Sequence, residues 1–154
     1  MGSADEVPPL DAKEEALVRA LQPALRELLR TMDDDLVREH RMSQTEYLVL
    51  MHLSESPDRR LAMSELAGRC HQSLSAVSRT VGRLEKDGCV TREQASADGR
   101  SFQAVLTDVG LDRLREAWPT HLESVRRSFL DHLGDVDIEA LAHALSEIAR
   151  ARRG

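Results

Sequence analysis

Between Ser73 and Thr107 the chain reads SLSAVSRTVGRLEKDG and then CVTREQASADGRSFQAVLT. This is a helical pattern stopped by a glycine and followed at once by two β-prone runs, an order that leaves few folds open. Leu74, Val77, Val81 and Leu84 recur at steps of three and four, which predicts one apolar stripe on a helix over 73–87. Gly88 stands where helices commonly end on glycine. Strands are expected over 89–93 and 101–106, with Asp98-Gly99 as the turn signal between them.

The other face of that helix carries Ser73, Ser75, Ala76, Ser78, Arg79, Thr80 and Arg83, just after Gln72. These side chains are short or end in guanidinium forks. Small groups allow close approach to a DNA major groove, where arginine can grip guanine edges or phosphates. The expected hairpin tip, Asp98-Gly99-Arg100, offers a second probe one helix-width away. Simpler roles fit some of the same residues: Gln72, Ser73 and Ser75 as helix caps, Arg79 and Arg83 as solvated charges.

The chain has 154 residues and a formal net charge of −6, which opposes binding to nucleic acid. The distribution qualifies that total. Residues 1–58 hold 6 basic against 13 acidic groups and residues 102–154 hold 7 against 9, whereas residues 59–101 hold 8 against 5. The one basic third contains the candidate reader, and local potential steers binding more than the total does. An acidic body with a basic edge is expected to bind DNA with strong salt sensitivity.

Along the rest of the chain, Asp11 with Glu14 and Ser43 with Glu46 form capping-box patterns that open helices. Leu17, Leu21, Leu25, Leu28, Met32 and Leu36 make a long stripe, which Pro23 should kink or break. A short helix is expected near 63–70. After the hairpin, Thr107 caps a long helix running to Leu133, with Pro119 as a second kink candidate and Gly134 as its stop. Asp135 or Asp137 restarts the chain into a last helix bearing Ile138, Leu141, Leu145 and Ile148. Asp33-Asp34-Asp35 reads as a solvated, helix-ending charge run. The terminal stripes are remote from the compact middle and need partners. A second copy would supply them and would pair two reader helices at the spacing of successive major grooves.

No apolar run approaches the eighteen residues of a membrane span, and the polar start MGSADEVPP does not resemble a secretory signal. Two cysteines, Cys70 and Cys89, lack CxxC spacing and read as buried and reduced, with a thiol switch as the alternative. The six histidines form no tight ligand pair, so no metal or other cofactor is expected. Met32, Tyr47, Met51, Trp118 and Phe129 fit either a core or a ligand cleft. No nucleophile–base pair stands out, which argues against an enzyme.

Taken together, LAMSELAGRC, SLSAVSRTVGRLEKDGCVTRE, the DGR tip and VLTDVG resemble the MarR family of winged helix-turn-helix transcription regulators. The resemblance implies a mainly α fold with a small β-hairpin wing and terminal helices that form a dimerisation region. It places a flexible tail at 1–10, dimerisation helices at 11–38 and 107–154, and the DNA-binding domain at 43–106. By the same resemblance the helix over 73–87 enters the major groove and Arg79 contacts bases or backbone. Arg100 reaches the minor groove, oriented by Asp98. Many such regulators release DNA when a small, often phenolic, ligand occupies a cleft beside the dimer helices, for which Met32, Tyr47, Met51 and Trp118 are the candidates here. The expected protein is a cytoplasmic homodimer on a pseudo-palindromic double-stranded operator, most simply a repressor. The alternatives are a ligand-independent or thiol-responsive regulator, or a helical protein-interaction module without DNA binding.

Overall fold

The computed structural model describes residues 7–95 and 101–151. Among these, the elements run α1 (Ala12–His40), α2 (Gln44–Ser54), β1 (Arg60–Ala62), α3 (Met63–Arg69), α4 (Leu74–Lys86), β2 (Val90–Gln94), β3 (Phe102–Leu106), α5 (Asp108–Ser128) and α6 (Ile138–Ala151).

Helix starts follow local side-chain chemistry. The Asp11 carboxylate accepts from the N–H groups of Lys13 and Glu14, and Glu14 accepts in return from the Asp11 N–H. Ser43 and Glu46 make the same reciprocal pair at the head of α2. Each box satisfies amides that the first helical turn leaves open. Ser73 Oγ accepts from the Ala76 N–H at 3.2 Å, and Asp137 accepts from the Ala140 N–H at 3.0 Å, which makes Asp137 the residue that starts α6. Gly88 follows α4 at φ +73°, the left-handed conformation glycine adopts at least cost.

Four expectations need correction. Pro23 does not break α1, which continues through it as α5 continues through Pro119; each proline removes one backbone donor, yet the turns on both sides stay helical. Phe129, at φ −133° and ψ −67°, ends α5 at Ser128 instead of near Leu133, and a single 3-10 turn over Leu130–His132 follows. The aspartate run does not end a helix, because α1 extends to His40. Asp35 is buried, bonded to Arg38 at 2.7 Å and to Arg127 of α5, and Asp33 accepts from the Gln44 N–H at 2.7 Å. Burial alone would raise the Asp35 carboxyl, but the hydrogen bonds and positive charges of Arg38 and Arg127 outweigh it and hold it below the ordinary range. Finally, the hairpin is part of a three-stranded antiparallel sheet in the order β1-β3-β2, with Leu61 opposite Ala104 and Val90 opposite Leu106.

The core lies under α2. Tyr47, Val49, Leu50 and Leu53 pack with Leu66 of α3, Val77, Val81 and Leu84 of α4, Val90, Ala104 and Leu106 of the sheet, and Leu36, Leu114 and Ala117 of the long helices. Full burial of a leucine-sized side chain stabilises by about 1.5–3 kcal/mol, so this cluster fixes α4 against the body. The fourth residue of the expected α4 stripe, Leu74, is instead 53% exposed, and Thr80 takes an inward place at 3%. A buried threonine is tolerated because its hydroxyl donates to the Ala76 carbonyl at 3.2 Å, one turn back.

One glycine sets the angle of α5. A Cβ built on Gly110 would meet the Cys89 carbonyl oxygen at 2.1 Å and Leu106 Cδ1 at 2.7 Å. The first turn of α5 therefore presses directly on the corner between α4 and β2. Thr107 closes that corner, donating to the Gly88 carbonyl at 2.7 Å and accepting from the Gly110 N–H at 3.1 Å. By contrast, the first half of α1 and all of α6 leave large apolar side chains open, among them Leu17, Leu21, Leu25, Leu29, Leu145 and Ile148.

Candidate nucleic-acid interface

Burial of Val77, Thr80, Val81 and Leu84 turns the opposite side of α4 outward. Ser73, Ser75, Arg79 and Arg83 are exposed on it, and Ala76 and Ser78 are half-buried at its edge. Among the described residues Arg79 makes no hydrogen bond or ion pair, so its five donors face solvent. Thr80 is not on this face: it accepts from Arg83 Nη2 at 3.3 Å and supports that side chain from below. Gln72 turns toward the body, donating to Thr45 Oγ1 at 3.0 Å. The Ser73 and Ser75 hydroxyls lie 3.2 Å apart, so Ser73 serves as a cap and also stands on the exposed side. Asp98 and Arg100 lie outside the described residues.

Two supports of this face were not anticipated. Glu46, buried at the start of α2, accepts from Arg83 Nε at 3.2 Å while its second oxygen holds the Ser43 N–H at 2.8 Å. Arg92 of β2 donates from Nη2 to the Ser78 carbonyl at 2.7 Å, and its Nε lies 3.8 Å from Glu85. Strand alternation would have found Arg92, since it stands two residues after Val90 and so on the face turned toward α4. The contact of Glu46 with Arg83 joins residues 37 apart and leaves no local signature. Beside Arg92, the exposed side chains of Leu74 and Phe102 border a cleft of about 350 Å³ between α3, α4 and the hairpin.

The four expected ligand residues are not gathered at one place. Tyr47 is fully buried and stacks on His121 with ring centroids 4.2 Å apart. Met51 and Trp118 line a cleft of about 270 Å³ with Leu111 and Leu114, which neither Met32 nor Tyr47 borders. Phe129 lines a separate apolar groove of about 680 Å³ between α1, the end of α5 and α6. Burial pushes the Cys70 thiol up to about 11, so near neutrality it stays protonated and is a poor nucleophile. Among the described residues no helix is long and apolar enough to cross a membrane.

Comparison with known proteins agrees with this geometry. The sequence profile of the MarR family matches residues 42–101. The chain is 36% identical to Sco3205, a MarR family transcriptional regulator from Streptomyces coelicolor solved in complex with DNA. That likeness covers 96% of this chain and 92% of that one, with a TM-score of 0.87. AbsC, a second MarR family transcriptional regulator from the same organism, is also 36% identical over 96% of this chain and 99% of that one, with a TM-score of 0.86. The HTH-type transcriptional repressor YetL of Bacillus subtilis is 26% identical over 111 residues, 70% of this chain and 66% of YetL, so the match spans just under two thirds of that relative. On the strength of the near full-length likenesses, this chain belongs to the MarR family of transcriptional regulators.

Proposed function

We propose that the protein is a homodimeric DNA-binding repressor that lays α4 in the major groove of a pseudo-palindromic operator. The observation that carries this reading is the outward face of α4, where short side chains surround an exposed arginine, Arg79, that has no acidic partner among the described residues. Arg79 and Arg83 are the base or phosphate contacts, Ser73 and Ser75 allow close approach, and Arg100, which the sequence sets between the two strands, is the contact to the neighbouring minor groove. The solved complex of Sco3205 with DNA and the description of YetL as a repressor support the reading by likeness.

The paired state rests on the open leucines of α1 and α6. Leu17 is 69% and Ile148 67% exposed in one chain, and stripes of this length call for a partner. A second copy covers them and brings two α4 helices to one side of the duplex. A small aromatic effector belongs to the same proposal, with Met51 and Trp118 as the two expected lining residues that share a cleft.

Footprinting on the DNA upstream of the protein's own gene tests the reading. Protection of two half-sites about one helical turn apart is expected. Absence of any salt-dependent binding would point instead to a protein-interaction module.

A further inference from the structure

The cations around α4 are not equal. Among the described residues from 59 to 95, Arg59, Arg60, Arg69 and Arg92 each lie within 4 Å of a carboxylate whose side chain is 43% or more exposed: Asp108, Glu93, Glu65 and Glu85. Exposed pairs of this kind are weak and give way readily to a phosphate. Arg83 differs. Its partner Glu46 has a side chain only 12% exposed, while that of Arg83 is 56% exposed. Glu46 cannot swing away, because its other oxygen holds the Ser43 N–H at the head of α2. Thr80, itself buried, takes the Nη2 edge of the same guanidinium.

We propose that Glu46 is a specificity-determining positioning residue, which fixes Arg83 on the reading face and cancels its charge at a distance. This rests on the DNA-reading function proposed above. Two physical consequences separate this role from that of a plain contact. Arg83 arrives with its rotamer already set, so its short-range hydrogen bonds to a matching site cost less ordering. Its positive charge, neutralised by a fixed carboxylate, adds little to the general attraction of the polyanion, so binding to unrelated DNA is held down. Arg79, with no acidic partner among the described residues, keeps its charge toward any duplex as well as its donors for a matching site.

The test uses the full chain, random-sequence duplex DNA, and the duplex footprinted upstream of its gene. In Glu46→Gln, the single carbonyl oxygen keeps the Ser43 cap, and the neutral amide releases Arg83. Affinity for random DNA is expected to rise, the dependence of log affinity on log salt to steepen by about 0.9 for each arginine freed to meet a phosphate, and the ratio of specific to random affinity to fall. In an Arg83→Ala background the same Glu46→Gln change is expected to do nothing to either DNA. Unchanged affinity and salt slope in Glu46→Gln overturn the proposal, and so does an effect of equal size without Arg83. A thermal melt of each variant shows whether the cap has survived, and Glu46→Asp, too short to hold both the Ser43 N–H and Arg83, is compared alone and in the Arg83→Ala background if Gln unfolds the chain. If the unaltered protein binds neither DNA, the DNA-reading function itself falls; if it binds both and Glu46→Gln changes nothing, only the role of Glu46 does.

Discussion

Arg92 Nη2 donates to the Ser78 carbonyl at 2.7 Å, so one guanidinium ties the first strand of the hairpin to the middle of α4. Ser78 Oγ lies 3.4 Å from the same nitrogen and Glu85 stands near Nε. The hairpin thus cannot swing without breaking a charge-assisted bond to the helix beside it.

Arg92→Ala should leave the fold in place, because the Val90 and Leu106 side chains still anchor the sheet in the core. A loss of about 1 kcal/mol in stability is expected from the lost hydrogen bonds. Operator affinity should fall further than stability does, since helix and hairpin would no longer arrive at a fixed separation. Chemical unfolding beside a binding titration checks this; wild-type affinity in Arg92→Ala would show that the tie does not position the hairpin.

Gly110→Ala addresses the corner where α5 leaves the reader. The new Cβ would meet the Cys89 backbone oxygen at 2.1 Å, and a backbone atom cannot rotate aside as a side chain would. The first turn of α5 must move, at a cost of about 3 kcal/mol or more. Urea unfolding should give a clearly lowered midpoint, and a midpoint within error of wild type would contradict the packing described.

What the sequence reveals most fully is what short-range chemistry decides. The Asp11–Glu14 and Ser43–Glu46 boxes, the Thr107 cap and the Gly88 stop lie within a few residues of the turns they make, so reading them needs no partner. Features set by distant partners stayed hidden. β1 is three residues long and exists because β3, more than forty positions later, pairs with it. The burial of Asp35 depends on Arg127, 92 positions later. The outward face of α4 was legible from spacing, apart from Thr80 and Leu74. Of its supports, Arg92 could be found from strand alternation, whereas Glu46, 37 residues from Arg83, could not.

His121 gives a pH dependence. It stacks on Tyr47, lies 6.5 Å from Trp118, and its Nδ1 is buried with no partner among the described residues. Burial holds its pKa below the ordinary 6.5. The unfolded chain therefore takes up a proton as pH falls through 6.5, while the folded chain does not, so stability is full above 6.5 and declines below it. His52 is shifted the same way, also mainly by burial. Melting temperatures should fall between pH 7 and pH 5, and His121→Phe, which keeps a stacked ring, should flatten part of that decline. An identical pH profile in His121→Phe would assign the dependence elsewhere.

If the outward face of α4 reads DNA, Arg79→Ala is the substitution that should show it. Arg79 touches no other described side chain by hydrogen bond or ion pair, so its removal should leave the melting temperature unchanged. Titration of wild type and Arg79→Ala against the footprinted operator and a random duplex, at one fixed salt concentration, is the measurement. A loss of about 1–3 kcal/mol on the operator is expected, with a smaller loss on random DNA. Equal operator affinity in wild type and Arg79→Ala would contradict it.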